Sequence, residues 1–221
     1  MLCWANNYCK KTNTENCIEF CEGYTLLQIL YKYSNIPIKY QYSKLLQLDT
    51  IDETVYENLI EIINDPIPWV ENGNSLYLWG EKKGNGKTTW ACSIANSFIR
   101  KMVSKTDLSP IVYFIKTAKF LEEMRQQFNS PTEEFPNTLA LIEKVPLLII
   151  DDLGAEKPSD WVKERLLSII DERYSNKLST IYTSNCSPNI LLMQLGDRIY
   201  DRVRDSKTYE FKCSSWRGGN E

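Results

Sequence analysis

Residues 84–89 read Gly-Asn-Gly-Lys-Thr-Thr, and they lie between the apolar run Leu76–Trp79 and the amphipathic stretch Thr88–Val103. This order, a strand followed by a glycine-rich loop and then a helix, is typical of loops that bind nucleotide phosphates. Glycines let backbone N–H groups point at the phosphates, and the helix N-terminus adds the positive end of its dipole. Lys87 would contact the β- and γ-phosphates, and the Thr88 hydroxyl would bind Mg²⁺. The stretch therefore predicts a site for ATP and Mg²⁺ formed by Gly84, Asn85, Gly86, Lys87, Thr88 and Thr89.

The spacing of this loop departs from the common pattern G-x-x-x-x-G-K-[ST]. Five residues, not four, separate Gly80 from Gly86. Either Gly80 is not the first glycine of the motif, or the loop carries one additional residue before Gly84. The half of the loop that would face the phosphates is intact.

Composition excludes several classes of protein. The chain has 221 residues, of which 43% are hydrophobic, which suits one domain with a sizeable core, either alone or with a small module. A net charge of −3 and a pI near 5.3 exclude a protein that coats nucleic acid by bulk charge. The absence of histidine excludes Ser–His or Cys–His catalysis and histidine metal ligands. The sequence shows neither a long apolar run nor a signal peptide, which predicts a cytoplasmic protein, in the bacterial host if phage-encoded.

Four of the seven cysteines fall within the first 21 residues: Cys3, Cys9, Cys17 and Cys21. Without histidine, a tetrahedral thiolate site for zinc would need four cysteines. The x₃ spacing of Cys17 and Cys21 suits such a site, whereas the x₅ spacing of Cys3 and Cys9 is looser. Structural zinc, an iron–sulfur cluster and ordinary reduced cysteines remain the three alternatives for this segment.

Short apolar runs alternate with helical patterns from residue 72 onward, which predicts a parallel sheet with helices on both faces. Upstream, residues 24–33 and 54–63 predict helices, and the sequence Asp65-Pro66-Ile67-Pro68 predicts a break. The predicted strands are Leu76–Trp79, Ile111–Ile115, Leu147–Ile150, Thr180–Thr183 and Tyr209–Cys213, and the predicted helices between them are Thr88–Val103, Ala118–Phe128 and Trp161–Tyr174.

Acidic and polar residues follow two of these strands. Asp151 and Asp152 end a buried strand, and ligands of such sheets bind at the carboxyl ends of the strands. Asp151 would hold the Mg²⁺ hydration shell, and Asp152 would orient or deprotonate the attacking water. Asn185 follows the next strand and would contact the γ-phosphate or that water. Arg198 and Arg202 are spaced i,i+4 and would share a helix face, from which an arginine can reach a neighbouring subunit's γ-phosphate.

Together these residues resemble the DnaC/DnaI/IstB family of AAA+ ATPases, the bacterial and phage replicative-helicase loaders. The resemblance covers residues 72–218, and the longer phosphate loop and short chain are most similar to phage or mobile-element members. It rests on Leu-Tyr-Leu-Trp-Gly before Gly-Asn-Gly-Lys-Thr-Thr-Trp, on Leu-Ile-Ile-Asp-Asp-Leu-Gly-Ala-Glu-Lys, on Thr-Ile-Tyr-Thr-Ser-Asn, on Leu-Gly-Asp-Arg-Ile-Tyr-Asp-Arg and on Ser-Trp-Arg-Gly.

The resemblance implies a P-loop NTPase fold of the AAA+ (ASCE) type without a C-terminal lid domain. It implies that Lys87 and Thr88 form Walker A, Asp151 Walker B, Asp152 the catalytic acid, Asn185 sensor 1, Arg202 the arginine finger and Arg217 sensor 2. Asp152 stands where many AAA+ proteins have glutamate, and its shorter side chain predicts slow ATP hydrolysis.

The resemblance implies a protein with two parts. A small N-terminal module, often zinc-binding, grips the hexameric helicase, and the ATPase part self-associates and holds single-stranded DNA. By this resemblance we expect a Cys-rich helicase-interaction module at residues 1–45, a linker helix region at 46–71 and the ATPase domain at 72–221. Candidate DNA contacts are Lys116, Lys119 and Phe120, since aromatic and basic side chains together suit single strands. The alternative is that Phe120 belongs to the core and that the lysines are solvated surface residues.

The resemblance favours an ATP-dependent loader of the replicative helicase with weak, DNA-stimulated ATP hydrolysis. Three alternatives remain: a transposition helper ATPase of the IstB kind, a small phosphotransferase, and a nucleotide-binding adaptor without turnover. The transposition helper would share every ATPase motif and differ in its partner. The N-terminal cysteines favour the loader, and the acids, Asn185 and the arginine helix argue against the phosphotransferase.

Overall fold

A single parallel sheet forms the centre of the molecule. The computed structural model describes residues 14, 21–41, 52–106, 109–155 and 159–212. Within them, five strands pair in the order β2-β3-β4-β1-β5, and every pairing is parallel. The strands are β1 (Leu76–Trp79), β2 (Val112–Lys116), β3 (Leu147–Asp151), β4 (Ser179–Ser184) and β5 (Lys207–Glu210).

Helices cover both faces of this sheet. Those on one face are α1 (Glu22–Ser34), α2 (Ile38–Gln41), α3 (Glu53–Asn64), α4 (Pro66–Glu71) and α5 (Lys87–Met102). Those on the other are α6 (Thr117–Asn129), α7 (Glu134–Lys144), α8 (Asp160–Ser175), α9 (Pro188–Leu195) and α10 (Asp197–Arg204). Each set packs its apolar side chains on one side of the sheet, so there are two hydrophobic cores. Every residue of β3 and β4 is buried, as expected for central strands covered on both faces.

The expected strand–helix alternation is confirmed, with differences in several elements. The Pro66–Pro68 segment is a short helix, α4, because proline fits the first turn, where backbone N–H groups lack intrahelical partners. Helices α2, α7 and α9 lie in stretches where the sequence analysis placed no element. The last strand begins at Lys207, two residues before its predicted start at Tyr209.

The described residues before the predicted linker belong to the same core as the sheet. Leu27, Leu30 and Tyr31 of α1 are buried in the core that contains α5, and the Asn35 side chain donates a hydrogen bond of 2.8 Å to the Phe114 carbonyl of β2. Residues 21–41 therefore pack as part of the sheet domain, although the sequence analysis placed them in a separate module.

A buried arginine joins three elements on the other face. Arg173 of α8 is 1% exposed. Its guanidinium donates to the carbonyls of Ile142 and Val145 at the end of α7 and of Ser179 on β4, and to the Thr180 hydroxyl. Burial lowers the pKa of Arg173 to about 10, which leaves it charged at neutral pH. These bonds satisfy the charge without a carboxylate partner.

Among the described residues, none of the helices combines the length and the apolar character required to cross a bilayer.

Candidate nucleotide-binding site

The phosphate loop lies where β1 ends and α5 begins. Gly84 and Gly86 have φ angles of +79° and +92°, a backbone region that residues with a Cβ rarely adopt. Helix α5 starts at Lys87 and runs for 16 residues, so its first N–H groups and its dipole face the loop. This local geometry is that of an anion site for phosphate groups.

Gly80 lies in close contact with the end of β5 and with the phosphate loop. A Cβ at Gly80 would lie 2.4 Å from the Phe211 carbonyl oxygen and 2.6 Å from Asn85 Nδ2. Gly80 is thus required where β1 leaves the sheet beside the end of β5. In the loop that follows, Glu81, Lys82 and Lys83 are exposed.

Lys87 is held inside the loop by oxygen atoms. Its Nζ donates to the Gly80 carbonyl at 2.9 Å, the Lys82 carbonyl at 3.3 Å and Asn85 Oδ1 at 2.7 Å. Asn85 is itself buried, and its Nδ2 donates to the Phe211 carbonyl at 3.0 Å. Asn85 therefore connects the lysine to the end of β5. An ammonium already surrounded by loop oxygens can exchange these acceptors for phosphate oxygens.

Asp151 and two threonines form a compact cluster beside the loop. The hydroxyls of Thr88 and Thr183 each donate to Asp151 Oδ1 at 2.7 Å. Burial raises the pKa of Asp151 above its ordinary value, while the two hydroxyls act in the opposite direction. Hydroxyl and carboxylate oxygens are the protein ligands that Mg²⁺ prefers, so Thr88 and Asp151 fit this ion.

Asp152 has an unusual backbone and an ionic neighbour. Its φ is +59°, a conformation that aspartate tolerates better than most residues. Its backbone N–H donates to Thr183 Oγ1 at 3.1 Å, and its carboxylate lies 3.6 Å from Lys116 Nζ at the end of β2. Thr183 thus fixes both acids, donating to one and accepting from the backbone of the other.

Thr183 and Thr117 are site residues that the sequence analysis did not select. Thr117 donates to the Asp151 carbonyl at 2.8 Å and is buried. Both are hydroxyl residues at or just after the carboxyl end of a strand. That position is the signal that would have identified them.

The other predicted site residues are distributed as follows. Asn185 is half-buried and directly follows β4, whose last residue Ser184 pairs with Trp79 of β1. Thr89 lies in the first turn of α5. Arg217 and Cys3, Cys9 and Cys17 lie outside the described residues. Cys21 is half-buried before α1 and has a free thiol, and the described part of the chain contains no cluster of acidic and cysteine side chains suited to a metal.

The two candidate finger arginines lie on α10, away from the phosphate loop. Arg198 is exposed, and Arg202 forms a 2.9 Å ion pair with Asp171 of α8. Arg202 lines a groove of about 600 Å³ together with Ser75, Thr180 and Ser206, which precede or begin β1, β4 and β5. The groove is therefore at the amino edge of the sheet, whereas the phosphate loop is at the carboxyl edge. Strand β4 has six residues and spans about 17–20 Å, so Arg202 is remote from this chain's own nucleotide site.

One predicted DNA contact is wrong. Phe120 is 3% exposed, and its ring stacks on Phe135 with centroids 6.3 Å apart. Because its ring is part of the core, it cannot stack on a nucleic-acid base at the surface. Lys116 and Lys119 are on the surface, with side chains 57% and 77% exposed.

Several known proteins are similar to this chain. The sequence profile of the IstB-like ATP binding protein family matches residues 50–209. The replicative helicase loader DnaI of Bacillus subtilis (strain 168) is 35% identical over 120 residues, which are 54% of this chain and 35% of that protein. The replicative helicase loader DnaC of Escherichia coli (strain K12) is 30% identical over 135 residues, 60% of this chain and 52% of that protein.

The fold of this chain is similar to that in the crystal structure of the DnaC helicase loader. The TM-score is 0.64 at 23% identity, over 80% of this chain and all of that one. The chain spans from about a third to about half of the length of the two sequence relatives.

Proposed function

This chain belongs to the IstB-like ATP binding protein family and has the AAA+ fold, and from that premise we propose that it loads the replicative DNA helicase onto single-stranded DNA. The observation that carries the proposal is the Thr88–Asp151–Thr183 cluster beside the Gly86 loop, in which two predicted site residues, Thr88 and Asp151, are hydrogen-bonded to each other. The names of the DnaI and DnaC relatives supply the helicase as partner.

In this proposal the chain binds ATP with Mg²⁺ and hydrolyses it slowly. Lys87 and the N–H groups at the start of α5 bind the phosphates, and Thr88 and Asp151 hold the magnesium. The bound ion neutralises charge on the phosphates. Asp152 orients the attacking water, and Asn185, directly after the neighbouring strand, assists it.

DNA would stimulate hydrolysis through Lys116. This lysine lies 3.6 Å from the Asp152 carboxylate, and it is on the surface near Lys119. A DNA phosphate that binds Lys116 would compete with Asp152 for the ammonium and free the carboxylate to orient water. Lys116→Ala would then raise the DNA-independent rate and reduce its stimulation by DNA, whereas Lys119→Ala would reduce DNA affinity alone.

Arg202 would act on the nucleotide of a second subunit. Its distance from this chain's own phosphate loop, about the length of β4, supports action in trans and hence nucleotide-dependent self-association. Subunits with Arg202→Ala and subunits with Asp152→Asn are each expected to be inactive. A mixture should recover turnover, and failure to recover it would contradict the trans arrangement.

The N-terminal cysteines would bind zinc and form the contact with the helicase. The support is the four-cysteine spacing of the sequence together with the absence of histidine. Metal analysis of the purified protein tests the zinc directly. One zinc per chain, lost in Cys17→Ser/Cys21→Ser, is the expected result, and iron or no metal would contradict it.

Co-elution with the host's replicative helicase on a sizing column tests the loader function. We expect a complex with ATP that is weakened by Lys87→Ala and lost in Cys17→Ser/Cys21→Ser. Absence of a complex under every condition would contradict the loader. A complex with a transposase instead would favour the IstB-like transposition helper, which the family match keeps as the second candidate. ATP binding without turnover would favour an adaptor.

A further inference from the structure

Two residues of α8 hold the side chain of Arg202. Arg202 Nε donates to Asp171 Oδ1 at 2.9 Å, and the centre of the guanidinium lies 5.4 Å from the centroid of the Tyr174 ring. Asp171 and Tyr174 are three residues apart, so they share a face of the helix. A hydrogen-bonded carboxylate and a cation–π contact together fix a side chain that otherwise samples many rotamers.

The ring that contacts Arg202 is fixed in turn. Tyr174 Oη donates to Asp205 Oδ2 at 2.6 Å, and Asp205 directly follows α10. Three contacts thus connect α8 with α10 and the residue directly after it. Together they hold the guanidinium in one place although the side chains of Arg202 and Asp171 remain 35% and 41% exposed.

The bond through Nε leaves the phosphate-binding end of Arg202 available. Among the described residues, the terminal nitrogens Nη1 and Nη2 donate no hydrogen bond, and Arg202, Tyr174 and Asp205 all line the groove at the amino edge of the sheet. The same groove is lined by Ser206, whose buried Oγ has no hydrogen-bond partner in the described part of the chain. The groove therefore offers unused donors beside a fixed cation.

We propose that Asp171 and Tyr174 are positioning residues that present Arg202 to the nucleotide of a second copy of this chain. The inference rests on the proposed action of Arg202 in trans. An arginine fixed in advance loses less conformational entropy when it meets a phosphate, so positioning raises the rate of turnover. It leaves the affinity of the partner copy for ATP unchanged, because ATP binds to the other subunit's own loop.

A donor–acceptor mixture tests the proposal. Acceptor subunits carry Arg202→Ala and cannot supply the arginine, whereas donor subunits carry Asp152→Asn and cannot hydrolyse ATP. Adding Asp171→Ala to the donor should lower kcat of the mixture about tenfold with an unchanged KM for ATP. Asp171→Asn should retain most activity, since its amide oxygen still accepts from Nε. Tyr174→Ala should reduce kcat and Tyr174→Phe should reduce it less, because the phenylalanine ring keeps the contact.

The matched control is Asp201→Ala in the donor. Asp201 is on the surface of α10 and pairs with Arg204 at 3.5 Å, so this change removes a carboxylate of the same kind without touching Arg202. Its mixture should keep the full rate. Thermal melts of every donor confirm folding, and Tyr174→Ala replaces Asp171→Ala in the comparison if the latter is unfolded.

The outcomes separate the two proposals. A donor that lacks Arg202 and still activates the acceptor overturns the finger and the positioning role together. A donor that needs Arg202 but is indifferent to both Asp171→Ala and Tyr174→Ala overturns the positioning role alone. An equal loss in Asp171→Ala and Asp201→Ala would also overturn it, because the effect would then reflect surface charge.

Discussion

Asp151 is the residue whose ionisation most directly links nucleotide binding to stability. Burial raises its pKa in the folded chain above the value of an unfolded aspartate. Between these two pKa values the folded state holds more protons than the unfolded state, so the free energy of unfolding decreases as pH rises through that interval. Above that interval the charged Asp151 lowers the stability of the fold, and a magnesium ion in the proposed site would offset this cost.

Asp151→Asn is expected to raise the melting temperature of the nucleotide-free protein by a few degrees at pH 7. The amide oxygen can still accept from Thr88 and Thr183, while the buried charge is gone. The stabilisation that Mg·ATP gives the wild type should disappear in the same variant. Melting curves from pH 3 to pH 8 with and without Mg·ATP measure both effects. A gain that persists at pH 3, where both proteins are neutral at this site, would show that the charge is not its cause.

Thr183→Val is expected to reduce ATP turnover by about tenfold to a hundredfold, because its hydroxyl orients both acids. Valine has nearly the same shape but leaves the Asp152 N–H without its acceptor, at a cost of about 1–3 kcal/mol in stability. Thr183→Ser keeps the hydroxyl and serves as the control. Turnover and urea denaturation are the measurements, and equal rates in the two variants would contradict the role of the hydroxyl.

Sequence identified the charged members of the site better than its hydroxyls. Lys87, Thr88, Asp151 and Asp152 follow from a local motif and from acids at a strand end, and the structure joins Thr88 and Asp151 by a hydrogen bond. The position of Thr183 near the end of a strand could have made it a candidate, but its bonds to both acids depend on the register between β3 and β4, which a single sequence does not give. Phe120 shows the opposite error: next to lysines it resembles a DNA-binding aromatic, yet its helix turns it into the core.

Among the elements, α7, α8 and β4 are joined by one buried side chain. Arg173 bonds to two carbonyls at the end of α7 and to two oxygen atoms of β4. Arg173→Met should destabilise the protein by about 3 kcal/mol or more, since buried acceptors of a charged donor lose their partner. Arg165→Met on the exposed side of α8 is the control and should change stability by less than about 0.5 kcal/mol. Chemical denaturation of both variants measures the difference, and similar losses would contradict the assignment.

Elements with clear periodicity were predictable, and those fixed by tertiary contacts were not. Strand β3 is a continuous apolar run, and the glycine-rich loop before α5 predicts the start of that helix. Helix α7 follows a polar stretch and has a proline in its first turn, and α4 begins with a proline. Proline fits a first helical turn, but in a sequence it also marks a break, so the local pattern did not decide between helix and loop. Burial against α8 and α5 decides their conformation, and a single sequence does not show this packing.

At the scale of the molecule, α1 is a structural part of the sheet domain. Leu27 and Leu30 are at most 2% exposed in the core that also contains Trp90 and Phe98 of α5. A chain that starts at residue 52 should therefore be poorly soluble or lose cooperative unfolding, because it exposes this apolar surface. Circular dichroism melts of the shortened and full chains test this. Tyr24→Ala in the full chain, at a side chain 38% exposed, should leave the transition nearly unchanged, and an intact transition in the shortened chain would contradict the prediction.

The phosphate loop and the Arg202 groove lie at opposite edges of the sheet, and this placement determines how many copies in an assembly of this chain can receive an arginine. If each copy supplies its arginine to the next, contacts run head to tail, and an open row always ends in one copy whose nucleotide meets no arginine. Turnover per copy then grows with the length of the row and reaches its limit only in a closed ring. The terminal copy retains its ATP longest. The two ends of such a row therefore differ, and ATP hydrolysis is slowest at one of them.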